Sequence, residues 1–444
     1  MTYRESKLKH VTLDNVRLHL RTDEKKLWIN KKYVLYLNDT SNFIIKSLID
    51  SAYDVNKEKI PFDVVNKVTK KYDVSKEKAQ NDFEAIIGII NSFARDEIPD
   101  HMVGTTVVPV ENLTSPNRMD LALTYKCNNK CSHCYLSINK SDKELSTQEW
   151  KNIIDKLWDI GIPEIVFTGG ECTLRDDIVE LANYSKRFIC GIITNGTRLT
   201  KELTDKLEKA ELDWIQITLE SDKESVHDDM VCRKGAWKET IKGIKNAVSS
   251  NLSVSINATL TKKNYKDLQG IINLANKLGV KYVSTNAIIN AGRGIKAKQE
   301  DGLKETDLKN ILQDAKKYAK KVGIELNWFL PTCYKNLNPV ELGFGERSCS
   351  ACAINMLIEP QGDVIPCQSW THDKLGNMYD VVLLAQEWKE IWNHDLCKKL
   401  RNHEFAPEEC NDCVYLDICG GACPLDIING EKNMNNGGKK NEII

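Results

Sequence analysis

The chain has 444 residues and a net charge of −1, with 62 Lys and Arg against 63 Asp and Glu. That length divides into two or three domains, and the charge balance carries no nucleic-acid footprint. The opening MTYRESKLKH lacks an apolar core, and runs such as FEAIIGIINSF are too short for a bilayer, so no signal peptide and no membrane span are expected, and the protein reads as cytoplasmic.

Residues 1–100 read as a small α+β domain. VRLHLR, KKLWIN and YVLYL are short strands. NDTS offers N-caps to a helix over NFIIKSLIDSAY. FDVVNKVTKKY is a second amphipathic stretch, and in a third Ala79, Phe83, Ile86, Ile87 and Ile90 share one face. Residues 101–117, with Pro109 and Pro116, read as a linker. From Met119 strands alternate with helices: MDLALT, EIVFT, FICGIIT, WIQITL, VSINATL and YVSTNAI. Ser146 and Glu149 form a capping box before Trp150, Ile153, Ile154, Leu157 and Trp158. Six βα units over residues 118–330 predict a parallel sheet, barrel-like or doubly wound. Residues 331–430 have little periodicity and many Cys, Gly and Pro, which predicts folding around metal. Residues 431–444 read as a frayed tail.

The 15 cysteines are unevenly placed: none precedes Cys127, and nine lie between Cys333 and Cys423. In a reducing compartment such usage points to metal or redox chemistry rather than disulfides. CNNKCSHCY, from Cys127 to Tyr135, follows the first strand of the barrel region. A 4Fe–4S cluster normally takes four thiolates. Three leave one iron open to an outside ligand, as a site that does chemistry requires. A zinc knuckle using His133 would account for this triplet alone.

Cys127, Cys131 and Cys134, together with FTGGE after the second strand, resemble the radical S-adenosylmethionine superfamily. His133 stands where relatives carry an aromatic residue. The resemblance implies a partial (β/α)6 TIM-like barrel. It implies that the three cysteines hold the catalytic cluster and that Tyr135, Gly169, Gly170 and Glu171 serve the cofactor, Glu171 accepting from its ammonium. Arg233, in HDDMVCRKGAW, would neutralise its carboxylate. Asn195 (ITNGT), Thr218 and Glu220 (ITLES) would line the ribose or substrate side; ordinary strand-end polar residues are the other reading of these three. Cys172 and Cys190 read as buried small apolar residues. The implied chemistry is one-electron cleavage of S-adenosylmethionine, after which a 5′-deoxyadenosyl radical takes hydrogen from the substrate.

Cys352 with Gly362 and Cys367, then Cys410-x2-Cys413-x5-Cys419-x3-Cys423, resemble the SPASM extension. A zinc ribbon would explain the CxxC pairs but not the triplet and glycine motif. The resemblance implies two auxiliary 4Fe–4S clusters, three clusters in all. The first would use Cys349 or Cys352, or both, with Cys367 and Cys423. The second would use Cys410, Cys413 and Cys419. No cysteine follows Cys423, so its fourth ligand is Cys397, Cys333 or Asp426, or the position is open, with the two cysteines favoured. Sulfatase-maturing relatives carry an Asp after the glycine-motif cysteine; here Gln368 follows Cys367. The N-terminal strands and helices resemble a winged-helix-like leader-peptide domain; a purely packing or DNA-binding domain is the alternative. The expected function is a radical maturase that installs a thioether or C–C cross-link in a ribosomally made precursor peptide. Its electron donor would be a flavodoxin or ferredoxin. The alternatives are a sulfatase-maturing-type oxidase and a non-catalytic electron-transfer protein.

Overall fold

Alternating apolar residues in VRLHLR and the wholly buried run KLWI form the two central strands of the first sheet. The computed structural model describes residues 7–13, 16–30, 33–51, 62–97, 113–136, 144–250, 252–371, 375–377 and 385–435. Most of the expected linker (101–112) and the end of the expected tail (436–444) lie outside them. The chain divides into two compact units: residues 1–115 with 154–163 and 187–189, and the remainder.

In the first unit, β1 (Leu8–Leu13), β2 (Val16–Arg21), β3 (Lys26–Ile29) and β4 (Tyr33–Tyr36) form an antiparallel sheet in chain order. Three strands were expected. β1 escapes because neither parity of LKHVTL is wholly apolar. Helices α1 (Asp39–Asp50), α2 (Phe62–Tyr72) and α3 (Lys76–Ala94) follow. Asn38 caps α1 by accepting the Ser41 N–H at 2.8 Å, and Ser75 caps α3 by accepting that of Lys78 at 3.1 Å. Ile90 and Phe93 of α3 pack on Leu18, Leu20 and Leu27 of the sheet. Ala79 and Phe83 join Ile44 and Leu48 of α1 and Val64 and Val68 of α2. Ile86 and Ile87 are partly buried between these clusters.

In the second unit the expected strands are β5 (Arg118–Thr124), β6 (Glu164–Gly169), β7 (Ile189–Thr194), β8 (Trp214–Thr218), β9 (Ser253–Leu260) and β10 (Tyr282–Ala287). Helices α4 (Thr147–Ile160), α5 (Ile178–Tyr184), α6 (Lys201–Lys209), α7 (Glu224–Met230), α8 (Ala236–Val248) and α9 (Leu268–Leu278) connect them. The capping box forms: Ser146 N–H donates to Glu149 Oε2 at 2.7 Å. Helices α10 (Gly294–Asp301) and α11 (Glu305–Val322) lead to β11 (Glu325–Trp328), which adds in parallel to β10. On the other edge β12 (Asn355–Ile358) pairs in parallel with β5, followed by antiparallel β13 (Asp363–Ile365) and β14 (Gly376–Asn377). The order is β11-β10-β9-β8-β7-β6-β5-β12-β13-β14. Strand order runs monotonically from β5 to β11, as in a barrel, and never reverses as in a doubly wound sheet. The pattern is that of a TIM-like partial barrel. Among the described residues no helix is long and apolar enough to cross a membrane.

Phe83 is 3 % exposed and joins all three helices of the first unit. Phe83→Ala should cost about 3–5 kcal/mol through the cavity it leaves, read as a lower urea midpoint for the transition of that unit.

Candidate active site

The cysteine triplet, Gly169 to Glu171, Asn195, and Thr218 with Glu220 stand at the carboxyl ends of consecutive strands, β5 to β8. That is where parallel barrels place their chemistry. Residues 125–136 have no regular structure, so their shape comes from what they bind. At the β6 end Gly170 N–H donates to Thr124 O at 2.8 Å and Glu171 N–H to Lys126 O at 2.9 Å. A Cβ on Gly169, whose φ is +139°, would stand 2.1 Å from Thr124 O, and one on Gly170 2.4 Å from Lys126 O. The two glycines thus let β6 lie against the start of the cysteine loop. On another side the N–H groups of Lys130 and Ser132 donate to Val231 O and Met230 O, each at 3.0 Å. From the loop after β10, Arg293 Nε donates to Cys131 O at 2.9 Å and Gly294 N–H to Cys134 O at 3.1 Å. Gly292 is also pinned, since a Cβ there would meet Tyr135 O at 2.5 Å. Sequence reasoning missed residues 292–294; two glycines around an arginine just past a strand were the available signal.

The residues expected to hold the cofactor are largely engaged with the chain itself. Glu171 is 1 % exposed. Its Oε1 accepts from Thr173 N (3.0 Å), Thr173 Oγ1 (2.6 Å) and Thr194 Oγ1 (2.7 Å), and its Oε2 from Asn195 N (2.7 Å). These bonds join the ends of β6 and β7, and Oε2, which takes a single donor, keeps acceptor capacity for an ammonium. Asn195 Nδ2 donates to Asn128 Oδ1 at 2.8 Å and lies 4.0 Å from Cys127 Sγ. Glu220 is fully buried. It accepts from Thr259 N–H at 2.8 Å and lies 3.0 Å from His133 Nε2, tying the loop to β8 and β9. Glu220 N–H donates to His227 Nδ1 at 3.2 Å, and burial holds the His227 imidazole below its ordinary pKa. Arg233 donates through Nε to Asn129 Oδ1 at 2.7 Å and pairs with Glu239 at 2.5 Å. Thr218 sits at the end of β8 in register with Asn257. Tyr135 donates its hydroxyl to Gln368 Oε1 at 3.1 Å, a direct link from the loop to the residue after Cys367.

Cys127, Cys131 and Cys134 are the residues that could hold a cluster here. Burial first, then the Glu171 or Glu220 carboxylate and the neighbouring thiols, push Cys127 and Cys131 above the ordinary thiol range. Bare thiolates are therefore disfavoured, and a group carrying iron charge offsets the penalty. Asn129 N–H donates to Cys127 Sγ at 3.4 Å, which favours the sulfur as an anion. Among the described residues, no three His, Cys, Asp or Glu side chains converge on the spacing of a single ion. A four-iron cubane spreads its thiolates over four metal corners and takes a wider set.

The C-terminal cysteines fall into groups. Cys349, Cys367 and Cys423 stand within electrostatic reach of one another, and burial pushes the Cys367 thiol up to about 12. Cys352 and Cys397 are both buried, with sulfurs 3.0 Å apart. Cys397 is thus placed beside Cys352 rather than with Cys410, Cys413 and Cys419. Asp426 pairs with Lys298 at 2.5 Å and lies towards Cys423. Cys172 and Cys190 are fully buried. A cleft of about 510 Å³ opens past the ends of β10 and β11, among Ile288, Asn290, Glu305, Trp328, Thr332 and Asp426.

Glu171→Ala would strip the acceptor from buried Thr173, Thr194 and Asn195 donors, each costing about 1–3 kcal/mol when unmet. The variant should lose about 3 kcal/mol or more of stability in urea. Wild-type stability with only cofactor affinity lost would make Glu171 a ligand alone.

Residues 121–275 match the radical SAM superfamily model and residues 349–414 the SPASM iron–sulfur cluster-binding domain. The iron-coproporphyrin III synthase of Methanosarcina barkeri is 30 % identical over 331 residues, 67 % of this chain and 81 % of that one. The mycofactocin maturase MftC of Mycolicibacterium smegmatis is 30 % identical over 338 residues, 72 % and 83 %. Streptococcus suis SuiB bound to S-adenosylmethionine superposes with a TM-score of 0.68 at 17 % identity, covering 94 % of this chain and 96 % of that one. SuiB bound to its precursor peptide SuiA gives a TM-score of 0.66, also at 17 % identity, over the same shares. Barrel, cysteine loop and cysteine-rich C-terminus together place the chain in one family: it belongs to the radical SAM superfamily and carries a SPASM domain.

Proposed function

We propose that this radical SAM enzyme installs a cross-link, a thioether or a carbon–carbon bond, in a ribosomally made precursor peptide. Its cofactors are S-adenosylmethionine, a catalytic 4Fe–4S cluster and auxiliary iron–sulfur clusters. The relatives named for an iron-coproporphyrin and for mycofactocin match at the same identity, so the shared region does not choose between a small molecule and a peptide. The first unit carries the choice. Its fold falls within a match to SuiB that spans 94 % of the chain, and its sheet ends in an open edge. Among the described residues β4 pairs only with β3. Leu37 N–H donates to Lys25 O across that pair at 2.8 Å. Alternation then turns the N–H groups of Val34 and Tyr36 outward. Both side chains are exposed, at 41 % and 44 %. A leader segment would add there as a strand, with backbone pairing supplying affinity and tethering raising the local concentration of the core.

When bound, the cofactor pair supplies a carbon-centred radical that takes hydrogen from the substrate. The chain supplies the rest. Cys127, Cys131 and Cys134 would hold the catalytic cluster, with Asn129 N–H on the Cys127 sulfur. Glu171, Glu220, Arg233 and Arg293 fix the loop. Gln368 carries no acid and accepts from Tyr135, so the base position of sulfatase-maturing relatives holds none here. Cys349 or Cys352, or both, with Cys367 and Cys423 would hold the first auxiliary cluster, which would supply a place for the second oxidation electron. A flavodoxin or ferredoxin would deliver the initiating electron.

The direct test is co-expression with a short peptide encoded beside the gene, followed by mass spectrometry. Each cross-link should remove two hydrogens, and an unchanged peptide mass in the presence of active cofactor cleavage would count against the reading.

Val34→Pro and Tyr36→Pro each delete one outward donor at an edge that tolerates proline. Both should leave cofactor cleavage unchanged and raise the peptide concentration needed for half-maximal turnover by about tenfold or more, the equivalent of about 1.4 kcal/mol. Changing Cys127, Cys131 and Cys134 together to Ala should abolish release of 5′-deoxyadenosine and lower iron by about four per chain. Cys367→Ala should keep cofactor cleavage but lose cross-linked product. Full cross-linking in that variant would make the first auxiliary cluster structural.

A further inference from the structure

Residues 424–444 hold no cysteine, so Cys410, Cys413 and Cys419 have no following thiolate within this stretch. We propose that Cys333, which precedes the whole motif in the chain, closes the second auxiliary cluster as its fourth ligand. Contacts on both sides of Cys333 support this. Cys419 Sγ donates to Thr332 O at 3.4 Å, one residue before it. The ring of Tyr334, one residue after it, packs on Tyr415 with centroids 6.1 Å apart, and Tyr415 lies between Cys413 and Cys419. The segment carrying Cys333 therefore runs along the loop that carries the other three thiols. The Cys333, Cys413 and Cys419 thiols all lie within electrostatic reach of Cys410.

The segment is also fixed in place. Glu305 Oε1 accepts the Cys333 N–H at 3.1 Å and its Oε2 accepts from Asn336 Nδ2 at 3.2 Å. The N–H groups of Asn336 and Leu337 both donate to Cys333 O at 2.9 Å. A ligand held by its own backbone loses little freedom on binding iron. The other two candidates are committed elsewhere, Cys397 to the buried contact with Cys352 and Asp426 to Lys298. The ligand thus comes from the segment just after β11, so the last barrel strand and the second cluster are directly joined. This holds whatever substrate the enzyme modifies.

The test uses the full chain reconstituted anaerobically with iron and sulfide. In the wild type, alkylation followed by peptide mass spectrometry should find Cys333 protected while the clusters are loaded. It should be modified once iron is chelated, with exposed Cys232 modified in both states. Cys333→Ala should hold between about eight and eleven irons per chain instead of about twelve and show an altered electron paramagnetic resonance spectrum after reduction. Cys397→Ala should keep the spectrum of the second cluster. Alkylation of Cys333 in the fully loaded enzyme at the rate of Cys232 would overturn the proposal. So would about twelve irons with a wild-type spectrum in Cys333→Ala, and the wild-type footprint decides the matter even if that variant folds poorly.

Discussion

Cys127, Cys131 and Cys134 are brought together beside the buried carboxylates of Glu171 and Glu220, and much of the second unit is arranged to do it. The loop from Tyr125 to Leu136 has no ladder of its own. Its backbone is satisfied by β5, by the ends of β6 and α7, and by the turn after β10. Glu171 and Glu220 are both buried, and each joins two neighbouring strand ends. They hold the frame and, by the same burial and charge, raise the cost of a bare thiolate. Iron held there would offset that cost, which would couple local order to metal binding.

The C-terminal segment likewise sets its cysteines among short helices and strands. It is attached by β12, whose parallel pairing with β5 sets it beside the strand that leads into the cysteine loop. The Tyr135 to Gln368 hydrogen bond joins the two cysteine regions a second time. Cys134 and Cys367 each lie one residue from that bond, so electrons passing between clusters would cross a short, fixed stretch of protein.

Much of this was legible in the sequence. Period-two and βα alternation showed β5 to β10, and the Ser146 to Glu149 capping box was read as it forms. Cysteine spacing singled out the loop from Cys127 to Tyr135. What escaped depends on partners distant in sequence. β1 has mixed parity, β11 and β12 are four residues each, and their pairing is set by the sheet they join. Glu171 was legible as a carboxylate at a strand end but its internal hydrogen bonds were not, because Thr173, Thr194 and Asn195 reach it only in the fold. The separation of Cys397 from Cys410, Cys413 and Cys419 is likewise a tertiary fact that spacing cannot express.

The central claim is that a hydrogen atom leaves a peptide side chain or backbone carbon at this site. The most direct measurement supplies precursor peptide deuterated at its cross-linked residues and weighs the 5′-deoxyadenosine released. One deuterium should be carried into 5′-deoxyadenosine for each cross-link formed. Cross-linked peptide formed with no deuterium in 5′-deoxyadenosine, or label-free release at the same rate with and without peptide, would contradict it.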